Sequence, residues 1–195
     1  MKSLYEDQEE TLKDFTERLE KLDIAYMLTG SMAMIEYGMM RMTNDIDIVI
    51  EVSHGDADKI IREFEQDYYV PQGRVRDAIS RKFMFNLLHQ TTLVKIDCVI
   101  RKDDEFQKLA FSHRRRVNFS GFEVWIISKE DLILSKLNWA KKSRSEMQMR
   151  DVAGIIRNGY DVNYVEGWAK KLGIEDLLKE CRELLEKNYV DGHDS

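Results

Sequence analysis

Residues 27–51 read MLTGSMAMIEYGMMRMTNDIDIVIE, and the fold turns on how this stretch is read. A short apolar run ends at Gly30-Ser31, a helical stretch begins at Ser31, and Gly38 closes it. DIDIVIE (Asp45–Glu51) then alternates with a period of two, which predicts a strand. Ile46, Ile48 and Ile50 belong to one face of that strand, and Asp45, Asp47, Val49 and Glu51 to the other. Aspartate is disfavoured in strands, and carboxylates two residues apart stand only about 7 Å from one another along the backbone. At ~4 Å and an effective dielectric near 20 their repulsion is on the order of 4 kcal/mol. A hard divalent cation reverses the sign of that arrangement. Without further support, the same D-x-D is equally a charged strand edge that discourages aggregation.

Two other features bear on the choice. A Gly-Ser pair at a strand-to-helix junction lets backbone approach closely and offers unpaired N–H groups that suit phosphate, although a plain helix cap would use the same residues. Farther on, KIDCVI places Asp97 in an apolar strand, on the face of Lys95 and Val99 and opposite Val94, Ile96, Cys98 and Ile100. If this strand neighbours DIDIVIE, Asp97 completes a triad with Asp45 and Asp47.

Working outward, helical spacing predicts an amphipathic helix over 4–21, and IAYMLT reads as a strand. DADKIIREFEQD reads as a helix, and VRDAISRK as a short one. FMFNLLH with TLVKIDCVI, and RRVNF with FEVWII, read as hairpins. From Ser128 the character changes: Ser128 and Asp131 resemble a capping box, and helices follow over about 129–142, 147–158, 162–172 and 174–187. The expected class is α+β with a mixed sheet, residues 1–127 forming the core and 128–195 a helical region packed on it.

The composition is that of an ordinary globular protein, with 43% hydrophobic and 34% charged residues. No apolar run approaches the roughly 18 residues a membrane-spanning helix needs, so no membrane partner is expected. Cys98 and Cys181 are too few for a disulfide framework, and a cytoplasmic location is expected. A net charge of −6 argues against coating nucleic acid by bulk electrostatics. Basic clusters nevertheless occur at Arg74, Arg76, Arg81 and Lys82, at Arg114–Arg116, and at Lys136, Lys141, Lys142 and Arg144. They read either as solvated surface or as a face toward an anionic substrate.

The ordered set TGS, DIDI and IDC resembles the nucleotidyltransferase superfamily, whose fold is shared with DNA polymerase β. More narrowly, GSMAMIEYGMMRMTNDIDIVIE, FNLLHQTTLVKIDCVIRKDDEF and SKEDLILSKLNWAKKSRSEMQMRDVAGII resemble small bacterial AbiEii-type toxins and their relatives. The resemblance implies a nucleotidyltransferase-like core and transfer of NMP from an NTP to a hydroxyl acceptor. Asp45, Asp47 and Asp97 would hold Mg²⁺ or Mn²⁺, with Asp97 alternatively taking the acceptor's proton. Gly30 and Ser31 would bind the phosphates. Lys136, with Asp151 as a possible partner, would serve the nucleotide end of the site, and Asp151 competes with Asp97 as the third acid. RNA (tRNA included), protein or a small molecule could be the acceptor, and an antitoxin or a second copy of the chain a partner. No GxxxxGK[ST] occurs, so a P-loop is not expected. A nucleotide-binding regulatory module with little turnover and a metal-dependent phosphoester hydrolase are the alternatives.

Overall fold

The computed structural model describes residues 3–41, 43–143 and 145–191; Arg144 of the third basic cluster lies outside the described residues. Helix α1 (Leu4–Lys21) begins in a reciprocal cap. The Ser3 hydroxyl accepts the Glu6 N–H at 3.2 Å, and the Glu6 carboxylate accepts the Ser3 N–H at 2.6 Å. Arg18 and Lys21 in its last turn suit the negative end of the helix dipole. Leu12, Phe15 and Leu19 recur at helical spacing and are buried.

Strand β1 (Ala25–Thr29) runs directly into α2 (Gly30–Glu36), and β2 (Asp45–Glu51) follows. After a 3₁₀ turn at His54–Asp56 come α3 (Ala57–Phe64), β3 (Tyr68–Tyr69), α4 (Gln72–Arg81), β4 (Met84–His89) and β5 (Lys95–Ile100). Next are α5 (Glu105–Ser112), β6 (Arg115–Phe119) and β7 (Phe122–Ile126). Four helices complete the described chain: α6 (Lys129–Ser143), α7 (Glu146–Ile156), α8 (Val162–Leu172) and α9 (Glu175–Asp191). The class is α+β, with one mixed seven-stranded sheet in the order β3-β4-β5-β2-β1-β7-β6. Strands β2 and β5 are parallel, as are β1 and β7, and the remaining pairs are antiparallel. No described helix is long and apolar enough to cross a membrane.

The chain divides into two compact units, Met1–Ala33 with Arg41–Ile127, and Met34–Met40 with Ser128–Ser195. The first holds the sheet. One sheet face carries Leu28, Ile46, Ile48, Ile50, Phe85, Leu87, Ile96, Cys98 and Ile100, all buried. Tyr68 stands on the same face and packs with Phe15 and Phe64, whose ring centroids are 4.6 Å apart, so α1 and α3 cover it.

Two details differ from the sequence expectations. Strand β3 was not foreseen, because two residues are too few to show a period; it exists because Tyr68 is drawn into the aromatic cluster and aligns with His89 of β4. Helix α4 starts earlier than its apolar pattern indicates, at Gln72 directly after Pro71, and ends where Lys82 turns left-handed at φ 49°. In the second unit the Ser128 hydroxyl accepts the Asp131 N–H at 3.1 Å and donates to the Asp131 carboxylate at 2.6 Å, a variant of the expected cap.

Phe64 is fully buried between Phe15 and Tyr68. Phe64→Ala is expected to cost about 3–5 kcal/mol in urea unfolding of the first unit, through lost contacts and the cavity left behind.

Candidate active site

Parallel pairing of β2 with β5 sets Asp47 level with Asp97 and Asp45 level with Lys95. On the outer sides Thr29 of β1 pairs with Asp47, and Asn86 of β4 pairs with Asp97. Residues aligned across a sheet share a face, so Asn86, Asp97, Asp47 and Thr29 form one polar row over four strands. Asp45 and Lys95 stand on that face one step away. All of this lies on the side opposite the isoleucines.

Gly30 meets this row where β1 gives way to α2. Its φ is +65°, and a Cβ placed on it would lie 1.9 Å from Asp47 Oδ2 and 2.6 Å from Asp47 Cγ. Only glycine fits, both by backbone conformation and by the closeness of the carboxylate. Ser31, the next residue, is buried.

The acids are held by neighbours. The Thr43 hydroxyl donates to Asp45 Oδ1 at 2.6 Å, and the Thr43 carbonyl is tied to α1 by Gln8 Nε2 at 2.7 Å. Asn86 Nδ2 donates to Asp97 Oδ1 at 2.5 Å, and Lys95 Nζ donates to Asp97 Oδ2 at 2.8 Å. The same ammonium lies 3.3 Å from Asp45 Oδ2. Burial pushes the pKa of Asp45 upward, but the hydrogen bonds from Thr43 and Lys95 and the lysine's charge outweigh it, and the carboxyl sits below its ordinary value. Desolvation pulls Lys95 downward, and its bonds to Asp97 and Asp45 more than reverse this, leaving the pKa raised.

The second unit contains a different charged pair. Lys136 on α6 donates to Asp151 Oδ2 on α7 at 2.8 Å and to Gln148 Oε1 at 3.1 Å, with both ionic side chains about 5% exposed. Nearby on α6, Asp131 is fully buried and accepts the Tyr164 hydroxyl at 2.6 Å. The hydroxyl's pKa is driven up by burial and by that bond.

Of the residues singled out from sequence, Gly30, Ser31, Asp45, Asp47 and Asp97 thus lie in the first unit, and Lys136 and Asp151 pair in the second. Thr43 and Asn86 were missed. Thr43 has a signal, standing two residues before Asp45 and on the same parity; Asn86 becomes visible only once the β4–β5 register is known. Several members of the basic clusters have acidic partners. Arg76 pairs with Asp58 at 2.9 Å, Arg81 with Asp77 at 2.7 Å, Lys82 with Asp103, and Arg116 with Glu123 at 2.8 Å.

Carboxylate oxygens are donors of the right kind for Mg²⁺ or Mn²⁺, and the acids of β2 and β5 share one face in adjacent strands. They fit such an ion chemically. Asp45 and Asp97 face Lys95, and among the described residues no three or more His, Cys, Asp or Glu side chains converge as a ready cage.

A family model described as "Nucleotidyltransferase of unknown function (DUF6036)" matches residues 3–172, and the chain belongs to that family. No curated protein matches significantly in sequence. Among solved structures, an antigenic nucleotidyltransferase-like protein from Paracoccidioides brasiliensis superposes with a TM-score of 0.51 at 18% identity. That match covers 75% of this chain and 74% of the fungal one. The lincomycin-bound lincosamide antibiotic adenylyltransferase LnuA superposes with a TM-score of 0.50 at 17% identity, over 75% of this chain and 97% of its own. At such identities the likeness is one of fold, and the fold is that of nucleotidyltransferases.

Two variants test the local physics. Gly30→Ala is expected to cost at least about 1 kcal/mol in thermal or urea unfolding from the left-handed backbone alone, and to push the Asp47 carboxylate aside. Asp151→Ala, which takes the carboxylate away from a buried ammonium, is expected to cost about 3–5 kcal/mol in urea unfolding. Lys136→Met with Asp151→Leu is expected to recover most of that loss.

Proposed function

With family membership as premise, we propose that this chain moves a nucleoside monophosphate from an NTP to an acceptor hydroxyl, dependent on Mg²⁺ or Mn²⁺. The observation that carries the reading is Gly30 seated on the Asp47 carboxylate, with Asp97 level with Asp47 on the next strand. A strand-edge gatekeeper needs neither feature. It explains neither a glycine that must be glycine nor a third acid aligned with the second.

In this reading Gly30 and Ser31, at the passage from β1 to α2, bind the triphosphate beside Asp47, whose carboxylate fills the space a Cβ of residue 30 would need. Asp45, Asp47 and Asp97 are the residues that would hold the metal, which when bound neutralises the triphosphate and stabilises charge developing at phosphorus. Alternatively Asp97, the most enclosed of the three, takes the acceptor's proton instead of holding metal. The acceptor oxygen then bonds to the α-phosphorus, the bond to the bridging oxygen breaks, and pyrophosphate leaves. Asn86 and Thr43 orient the carboxylates and exchange no proton with substrate.

The acceptor class favoured for a first test is a small hydroxylated molecule. LnuA acts on a lincosamide, and a net charge of −6 disfavours RNA held by bulk electrostatics. A toxin–antitoxin role is carried by the resemblance to AbiEii-type proteins. A second reading, a nucleotide-binding module with little turnover, is favoured by one observation, the lysine lying across Asp45 and Asp97.

The experiment is incubation with each labelled NTP and Mg²⁺ or Mn²⁺, against total RNA, total protein, and a panel of lincosamides and aminoglycosides. Label in one fraction, lost in Asp47→Asn while the thermal midpoint stays within a few degrees, is the expected outcome. An undiminished rate in Asp47→Asn removes the mechanism. Thermal stabilisation by NTP with no label transferred selects the binding module.

A further inference from the structure

Asp45 and Asp97 already share a cation, and it belongs to the chain. Lys95 is level with Asp45 in the β2–β5 register and two residues before Asp97, so all three side chains leave the sheet on one face. Its Nζ is 2.8 Å from Asp97 Oδ2 and 3.3 Å from Asp45 Oδ2. The other oxygens of the two acids are occupied by neutral donors, Asn86 at Asp97 Oδ1 and Thr43 at Asp45 Oδ1. The ammonium thus holds, on each carboxylate, the oxygen that does not carry the Asn86 or Thr43 hydrogen bond.

Resting on the metal-dependent reading above, we propose that Lys95 is a tethered counter-ion that occupies the cation position between Asp45 and Asp97 and must withdraw before this pair takes a divalent ion. The lysine therefore weakens metal binding by competition, and stabilises the metal-free site by relieving repulsion between the carboxylates. The structure is arranged for that exchange. Lys95 is 42% exposed on a flexible four-carbon stem, whereas Asp97 is 11% exposed. The carboxylate stays in its row while the ammonium swings into solvent. Asn86 and Thr43, being uncharged, keep their bonds in either state and preserve the orientation of the acids.

The test measures Mn²⁺ binding, followed by the electron paramagnetic resonance signal of free Mn²⁺, together with thermal midpoints in EDTA and in Mn²⁺. Lys95→Met keeps the stem without the charge, and Lys95→Gln keeps a donor without the charge. Both are expected to bind Mn²⁺ about tenfold more tightly than the unmodified chain, a difference of about 1.4 kcal/mol. Both are expected to melt lower in EDTA and to gain more from Mn²⁺. Asp45→Asn in the Lys95→Met background is expected to erase the gain. Equal or weaker binding in both lysine variants, while Asp47→Asn still abolishes binding, overturns the inference and leaves the metal reading intact. A gain that survives Asp45→Asn also overturns it. Absence of Mn²⁺ binding in the unmodified chain and both lysine variants overturns the inference and the metal reading together.

Discussion

The candidate site depends on the register of one strand pair. β2 and β5 are parallel and not consecutive in the chain, with β3 and β4 between them, so no tight turn sets their alignment. The apolar face sets it. Ile46 stands beside Ile96, Ile48 beside Cys98 and Ile50 beside Ile100, and every one of these is buried. Sliding β5 by one residue would bring Lys95, Asp97 and Val99 to the core face and expel three apolar side chains. Sliding by two would keep the faces but separate Asp97 from Asp47. Core packing thus places the carboxylates, although none of them contributes to the core.

That logic also explains what was legible in the sequence. The faces of DIDIVIE and KIDCVI could be read directly, because period two needs only one strand. The long helices of residues 129–187 could be read as well, each presenting several turns of spacing. Strand adjacency could not. That Asp97 stands beside Asp47 follows from the sheet order, and a sequence carries sheet order only through long-range packing. Lys95 was visible as a same-face neighbour of Asp97, yet its bridge to Asp45 depends on the same adjacency. Asn86 needed the β4–β5 register, and β3 needed the aromatic cluster of Phe15, Phe64 and Tyr68.

The two lysine–aspartate contacts of this protein are alike in chemistry and opposite in consequence. Lys136 and Asp151 are almost wholly withdrawn from water, so losing either charge leaves the other in a medium that solvates it poorly. Lys95 is partly solvated, so water can take over its ammonium when it leaves the acids. The first contact is enclosed by protein, and the second borders water, where the proposed exchange with a soluble cation would take place.

The spacing between Gly30-Ser31 and Asp45 has a geometric meaning as well. β1 and β2 are antiparallel, with Thr29 opposite Asp47, so the chain leaves β1 beside the position at which Asp47 will later stand. Between the two events it must build α2 and return to the sheet. The intervening residues satisfy this by forming one short helix closed at Gly38, whose φ is +78°. Their identities are otherwise loosely constrained, as the run of methionines illustrates. The constraint falls on the ends: a residue without a Cβ where the strand stops, and a carboxylate where the chain comes back beside it. A glycine and an aspartate far apart in sequence are therefore halves of one packing contact, and that contact separates this D-x-D from an acidic strand edge.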